Sequence, residues 1–234
     1  MQTIPVANLA LMMLPAAAVV VILWRWTSDA KTPSYALSRM IIQLCLIGYV
    51  LTYIFKTEQF ALVLSVLSIM LLVSSWIALR SVPERRKELY FKALAATFVV
   101  NASLLALATK GVLRSDPWFA PAIVIPIAGM IFAVGMNAIS LFAERYFSEL
   151  ERNVSDESAR NTAYKATLIP TINSLFAVGL VSLPGMMTGQ ILSGISPLIA
   201  VRYQIMIMLL LFASSGLTAA LFYVFARKDV QTSD

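Results

Sequence analysis

Histidine is absent from the 234 residues, cysteine occurs once, at Cys45, and charge is scarce, 13% of residues against 59% hydrophobic. Each scarcity excludes a chemistry. Without histidine, and with a single thiol, one chain offers no disulfide, no Cys/His zinc site and no histidine acid–base catalysis. Cys45 lies inside an apolar run and reads as a small buried hydrophobe. The 12 acids all fall in loops, tails or the last turn of an apolar span, which leaves the membrane interior without a carboxylate. That argues against a proton-coupled transporter and against a magnesium ion held at the midplane. No glycine is followed by lysine, so the phosphate-cradling GxxxxGK[ST] loop is missing and any ATP that drives this protein is bound by another chain. An intramembrane enzyme is disfavoured too, because no nucleophile and base pair at depth.

What is present is apolar sequence in bilayer-length pieces. Such a chain cannot hide its hydrophobic surface in one core, and the reading is an all-α, polytopic membrane protein forming a single transmembrane domain over residues 1–234. Seven spans are expected, over 6–26, 36–55, 60–80, 91–109, 119–143, 168–191 and 198–226. Lys and Arg sum to 14 of 18 on one set of alternate loops, including Arg80, Arg85, Arg86, Lys87, Arg145, Arg152, Arg160, Lys165 and Arg227. The positive-inside rule then puts the N-terminus outside and the C-terminus in the cytoplasm, and it accounts for the net charge of +6 without nucleic acid. The first basic residue is Arg25, so no basic region precedes the first apolar run and that span is expected to stay in the mature protein.

Two segments on the basic side are more than turns. Residues 27–38 suit either a short interfacial stretch, with Pro33 and Ser34 at a helix start, or a solvated loop. Residues 144–167 mix Glu144, Arg145, Glu149, Glu151, Arg152, Asp156 and Glu157 without Gly or Pro. They read as two helical pieces meeting near Ser155, with Asp156 and Glu157 as an acidic first turn, and as the surface a cytoplasmic partner would grip.

The most irregular span is Leu168–Gln190, LIPTINSLFAVGLVSLPGMMTGQ. It is long enough to cross a bilayer yet contains Pro170, Gly179, Pro184, Gly185 and Gly189. Pro184 displaces the carbonyl of Leu180, so the helix is expected to kink or unwind there, and freed backbone in a membrane must meet protein or a water-filled cavity. Ser182, Thr188 and Gln190 flank the break. Gly185, Gly189 and Ser193 form a small-residue stripe suited to close helix packing or to a pathway. Met186 and Met187 add soft thioethers or adaptable packing. The polar residues elsewhere, Asn101 and isolated serines, read as helix-to-helix hydrogen bonds. Pro121, Pro126, Gly129 and Gly135 make the fifth span a second candidate for a broken helix.

Four blocks carry a family likeness: RMIIQLCLIGYVLTYIF from Arg39, VIPIAGMI from Val124, LIPTINSLFAVGLVSLPGMMTGQILSG from Leu168 and SPLIAVRYQIMI from Ser196. They resemble the seven-span permeases of the FetB type, iron-export permease subunits of ABC transporters with plant relatives linked to aluminium tolerance. The resemblance implies two permeases in the inner membrane paired with two ATP-binding subunits, no cofactor in this chain, and ATP and magnesium on the partner. The pathway and gate would then comprise Gln43, Pro126, Gly129, Asn173, Ser182, Pro184, Gly185, Met186, Met187, Thr188, Gly189 and Gln190, with Met186 and Met187 as candidate metal ligands. Residues 144–167 would be the coupling loop. In the family this loop is longer and carries a Leu-Gly-Ala-like turn, whereas no glycine occurs here between Gly135 and Gly179. A stand-alone channel and a membrane scaffold therefore remain as alternatives. Without acids or histidine at depth the pathway suits free ferric iron poorly, and a chelated metal, a softer ion touching Met186 and Met187 or a neutral organic molecule fits the chemistry at least as well.

Overall fold

The computed structural model describes residues 5–54 and 59–230. The chain divides into two units, residues 1–57 and 58–234. Among the described residues the regular elements are all helices, joined by turns and with one isolated bridge between Val178 and Ser182, and six helices are long and apolar enough to span a bilayer. The protein is an all-α, polytopic membrane protein.

In the first unit, α1 (Val6–Leu11) runs into α2 (Met13–Thr27), and Pro15 sits in the first turn of α2, where its missing N–H is tolerated. Ser28, at φ 57°, ends α2, and the Asp29 carboxylate accepts a hydrogen bond from the Thr32 N–H at 3.1 Å. The next helix, α3 (Lys31–Ile54), then continues without interruption. Residues 27–38 are thus a tight turn plus the first turns of a span, and no separate interfacial piece forms. Cys45 is exposed on α3, so it faces out of this unit and is no core residue.

The second unit is built around α6 (Pro121–Glu151), which contacts α4 (Phe60–Ala78), α5 (Arg86–Ala106), α7 (Asp156–Ala177) and α9 (Pro197–Val230). Its 31 residues make a rod of about 46 Å. The expectation of a broken fifth span is therefore wrong: Pro121 occupies the first turn, Pro126 is absorbed within the helix, and packing on four neighbours outweighs one lost hydrogen bond. Alanines explain how closely the rods approach. Ala93 and Ala96 of α5, Ala138 and Ala143 of α6, Ala159 and Ala163 of α7, and Ala219 and Ala226 of α9 are all buried around Phe142, Tyr146 and Phe222. A second apolar layer, with Ile127, Ile131, Phe132, Ile207 and Leu210, fills the other half.

Between the layers lies a small polar cluster. Asn101, Ser214, Thr218 and Gly135 meet there, and a Cβ on Gly135 would fall 2.9 Å from the Asn101 amide nitrogen. Ser214 Oγ is 2.7 Å from Asn101 Oδ1 and 2.9 Å from the Ile131 carbonyl. One hydroxyl proton serves one acceptor, so Ser214 donates to the Asn101 oxygen or to the Ile131 carbonyl, one at a time.

The two ends of this unit differ. At one, the α4–α5 turn, the α6–α7 turn and the end of α9 come together: Ser81 Oγ donates to the Ser140 carbonyl, Arg85 lies 4.4 Å over the Phe147 ring and Arg160 5.7 Å over Tyr223. Three of the basic clusters counted in the sequence thus share one end. At the other, a π-helical turn (Leu107–Leu113) continues α5, and Lys110 sits 4.3 Å over Trp118 beside Phe60 and Phe119, the amphipathic aromatic pattern of a membrane interface.

Candidate functional site: a hollow groove beside a broken helix

The span expected over 168–191 is divided. Helix α7 runs through Pro170 and stops at Ala177, Val178 is extended at ψ 130°, Gly179 has φ 83°, and the short α8 (Gly185–Leu192) begins only after Pro184. The break therefore spans residues 178–184 and starts ahead of the proline. Ala177 closes it, its carbonyl accepting from the N–H groups of Leu180, Val181 and Ser182 at 3.2, 2.8 and 3.1 Å. Pro184 O accepts from both the N–H and the hydroxyl of Thr188, which seats the first turn of α8.

Three cavities line up in the groove between α6, α7–α8 and α9. The first, about 400 Å³, lies toward the charged end and is lined by Asn137, Ser140, Thr167, Thr171 and Ser215 among others. It shares Ser174, Met208 and Leu211 with a central cavity of about 260 Å³, which is completed by Met130, Ser182, Pro184, Gly185, Met186 and Gln204. Met186 joins this to a third, of about 460 Å³, lined by Pro126, Gln190, Ile195 and Tyr203. The amide oxygens of Gln190 and Gln204 have no hydrogen-bond partner among the described residues. Leaving such an atom buried costs about 1–3 kcal/mol, and here each borders a cavity, unlike Asn101 Nδ2 and Thr218 Oγ1, which are also unpaired but lie in the filled cluster around Gly135.

The candidate residues separate on this map. Pro126, Ser182, Pro184, Gly185, Met186 and Gln190 line the row. Gly129 instead faces Met70 of α4, Asn173 is exposed, and Met187 lines none of the three cavities. Thr188 serves the α8 turn. A Cβ on Gly185 or Gly189 would meet nothing within 4 Å among the described residues, so these two glycines make no close helix contact there. Gln43 lies exposed on α3 in the first unit. Residues absent from the candidate set are Met130, Thr167, Thr171, Ser174, Gln204 and Met208. Their signal was helical spacing: Met130, Val134, Asn137 and Leu141, then Thr167, Thr171 and Ser174, then Gln204, Met208, Leu211 and Ser215 each mark one face at steps of three or four.

At the charged end the α6–α7 segment is a helical hairpin whose turn is residues 152–155. Asp156 is no free surface acid: Tyr146, fully buried on α6, and Tyr223 on α9 both donate to its carboxylate, the latter at 2.7 Å. Glu149 is also engaged, paired with Arg145 at 2.7 Å. Glu144, Glu151, Arg152 and Glu157 face outward, Glu157 with Arg160 at 3.5 Å.

Among the described residues no group of three or more His, Cys, Asp and Glu can hold a metal ion. Together, these features define a multi-pass α-helical membrane protein with a cavity-lined groove beside an interrupted span. Residues 6–230 match the family described as "Uncharacterised protein family (UPF0014)", and the chain belongs to it. It is 34% identical over 217 residues to "UPF0014 membrane protein slr1647" of Synechocystis sp., covering 86% of this chain and 84% of that protein. It is 34% identical over 204 residues to "Probable iron export permease protein FetB" of Escherichia coli K12, covering 79% and 75%. It is 29% identical over 222 residues to "Protein ALUMINUM SENSITIVE 3" of Arabidopsis thaliana, covering 84% and 79%. The family read from the four blocks is borne out. No solved structure matches the chain.

Proposed function

We propose that this chain is the permease subunit of an ABC transporter of the inner membrane, exporting a metal or small solute through the groove, with its C-terminus cytoplasmic and ATP hydrolysis performed by a separate subunit. The observation that carries this reading is the row of three adjoining cavities beside a helix broken at residues 178–184. Its family relatives named as membrane proteins and as an iron export permease support the transport class.

The mechanism follows from the joints. The outward residues Glu144, Glu151, Arg152 and Glu157 form the docking face for the partner, which binds ATP and magnesium. The double hydrogen bond onto Asp156 ties the start of α7 to α6 and α9, so a push on the hairpin moves α7 as one piece as far as Ala177. The seven residues beyond have no helical ladder and absorb the displacement, changing the width of the central cavity. Non-helical backbone in a bilayer must be covered by protein or water, yet Leu180 and Val181 are 91% and 84% exposed. A second copy of the chain, approaching over the open faces of Gly185 and Gly189, supplies that cover in a permease homodimer.

Co-expression with an ATP-binding-cassette subunit tests this. The tagged chain should recover the ATPase, the complex should hydrolyse ATP in a chain-dependent way, and Glu151→Lys with Arg152→Glu should weaken the association. Flux through liposomes holding this chain alone, without ATP, would overturn the reading in favour of a stand-alone facilitator.

A further inference from the structure

We propose that the central cavity is a binding site for a soft monovalent cation of the Cu(I) or Ag(I) type, held by the thioethers of Met130, Met186 and Met208 and by the Gln204 side-chain oxygen. Only the assignment of that ion as cargo rests on the transport reading above; the binding does not.

Three methionines reach this one space from three separate elements, α6, α8 and α9. Met186 is fixed there because it is the second residue of α8, directly after Pro184 ends the break. The thioethers border a void of about 260 Å³, whereas methionines recruited only for packing would fill it, since the flexibility of the side chain suits it to irregular gaps. An independent sign comes from Gln204. It is 6% exposed, lines the same cavity, and its Oε1 has no partner among the described residues. A buried acceptor oxygen beside soft sulfurs is unsatisfied in the empty cavity and becomes a ligand when a cation enters. The Ser174 and Ser182 hydroxyls on the rim add further neutral oxygens.

The donor set also selects the ion. No carboxylate, imidazole or thiol lines the cavity, so magnesium, calcium and ferric iron find none of their preferred ligands. Thioether sulfur is a soft, neutral donor that favours d¹⁰ monovalent ions. With no anionic ligand to neutralise the cargo, the desolvation penalty of an ion in low dielectric rises with the square of its charge, and a single positive charge is the tolerable one. A neutral donor set does not titrate, so affinity should change little with pH over the physiological range.

The full chain, purified in detergent with its exposed Cys45 alkylated so that no thiolate competes for silver, is titrated with silver nitrate in chloride-free buffer by calorimetry, and the silver environment is read by X-ray absorption. Binding of about one equivalent with a sulfur shell is expected for thioether ligation. Met130→Leu, Met186→Leu and Met208→Leu, each close to isosteric, should each weaken Ag(I) binding by roughly tenfold or more, and Gln204→Leu by a smaller factor. Met187→Leu should leave it unchanged. No Ag(I) binding by the wild-type chain, a silver shell of oxygen and nitrogen alone, or equal affinity across the methionine variants would overturn the proposal, and the wild-type spectrum decides even if a variant misfolds. Intact Ag(I) binding without ATP-dependent flux in the assembled complex would remove the transport reading and leave the site standing.

Discussion

Two regions of the second unit use the same residue types to opposite ends. Around Gly135, on α6, a glycine, an asparagine, a serine and a threonine close up until no space is left: an added Cβ would lie 2.9 Å from Asn101, 3.3 Å from Thr218 and 3.4 Å from Ser214. Around Gly185 and Gly189, on α8, glycines with serine, threonine and glutamine neighbours stand open, and an added Cβ meets nothing within 4 Å. Small and polar residues in a membrane helix thus do not by themselves mean a pathway. Unpaired polar atoms occur in both, Asn101 Nδ2 and Thr218 Oγ1 in the core and the Gln190 and Gln204 Oε1 atoms in the groove; what distinguishes the groove is that its glycines stand unoccupied and its unpaired atoms border a cavity.

The largest effect that would sharpen the contrast is at the closed end. Asp156→Ala removes the acceptor of two tyrosine hydroxyls, one of them on the fully buried Tyr146. Hydrogen bonds to a charged group contribute about 1.5–3 kcal/mol each, so the variant should lose about 3 kcal/mol or more in thermal unfolding. Asp156→Asn, which keeps one acceptor oxygen, should lose less. Equal stability of Asp156→Ala and wild type would mean the clamp holds nothing.

Next is Gly135→Ala, for which the obstructing atom belongs to a buried and hydrogen-bonded Asn101. Overpacking of this kind costs about 1–3 kcal/mol, and a matching fall in melting temperature is expected. Gly129→Ala is the internal control. Its obstruction is the flexible Met70 methyl at 3.4 Å, which can swing aside, so its stability should stay near wild type.

Gly179→Ala follows, on the groove side of the comparison. Nothing crowds this residue, but its φ of 83° lies where an L side chain meets its own backbone, at about 1–2 kcal/mol. The strain should show less as unfolding than as altered transport in the assembled complex, because the break is the flexible joint. Pro184→Ala should not re-form a continuous helix, since the interruption already begins at Val178.

Six of the seven expected spans, the break in the remaining one and the charged hairpin were legible from the sequence, because each rests on long runs of one composition: apolar stretches of bilayer length, a cluster of Gly and Pro, and 24 residues without either. The errors share a cause as well. Pro126 was read as a break because the sequence shows the missing N–H and not the four helices packed against a continuous α6. Asp156 was read as a surface acid because its partners, Tyr146 and Tyr223, lie ten and 67 positions away. The methionines at 130, 186 and 208 were invisible as a group for the same reason. Pairing across distant helices carries no local pattern, and only the spacing along each separate face hinted at it.

The smallest effect is the one that most directly tests the open side of the comparison. Gly185→Ala and Gly189→Ala add a methyl where no atom stands within 4 Å, in a helix where Gly is less favourable than Ala by about 0.5–1 kcal/mol. Both should leave the isolated chain unchanged or slightly more stable, the reverse of Gly135→Ala. Gly185→Leu takes this further. If a second copy lies over this face, the bulkier side chain should disrupt dimers in crosslinking or size-exclusion measurements while the single chain melts as wild type. A loss of stability in the monomer of either alanine variant would show that α8 packs more tightly than its open glycines indicate, and the division between a filled core and a hollow groove would fall with it.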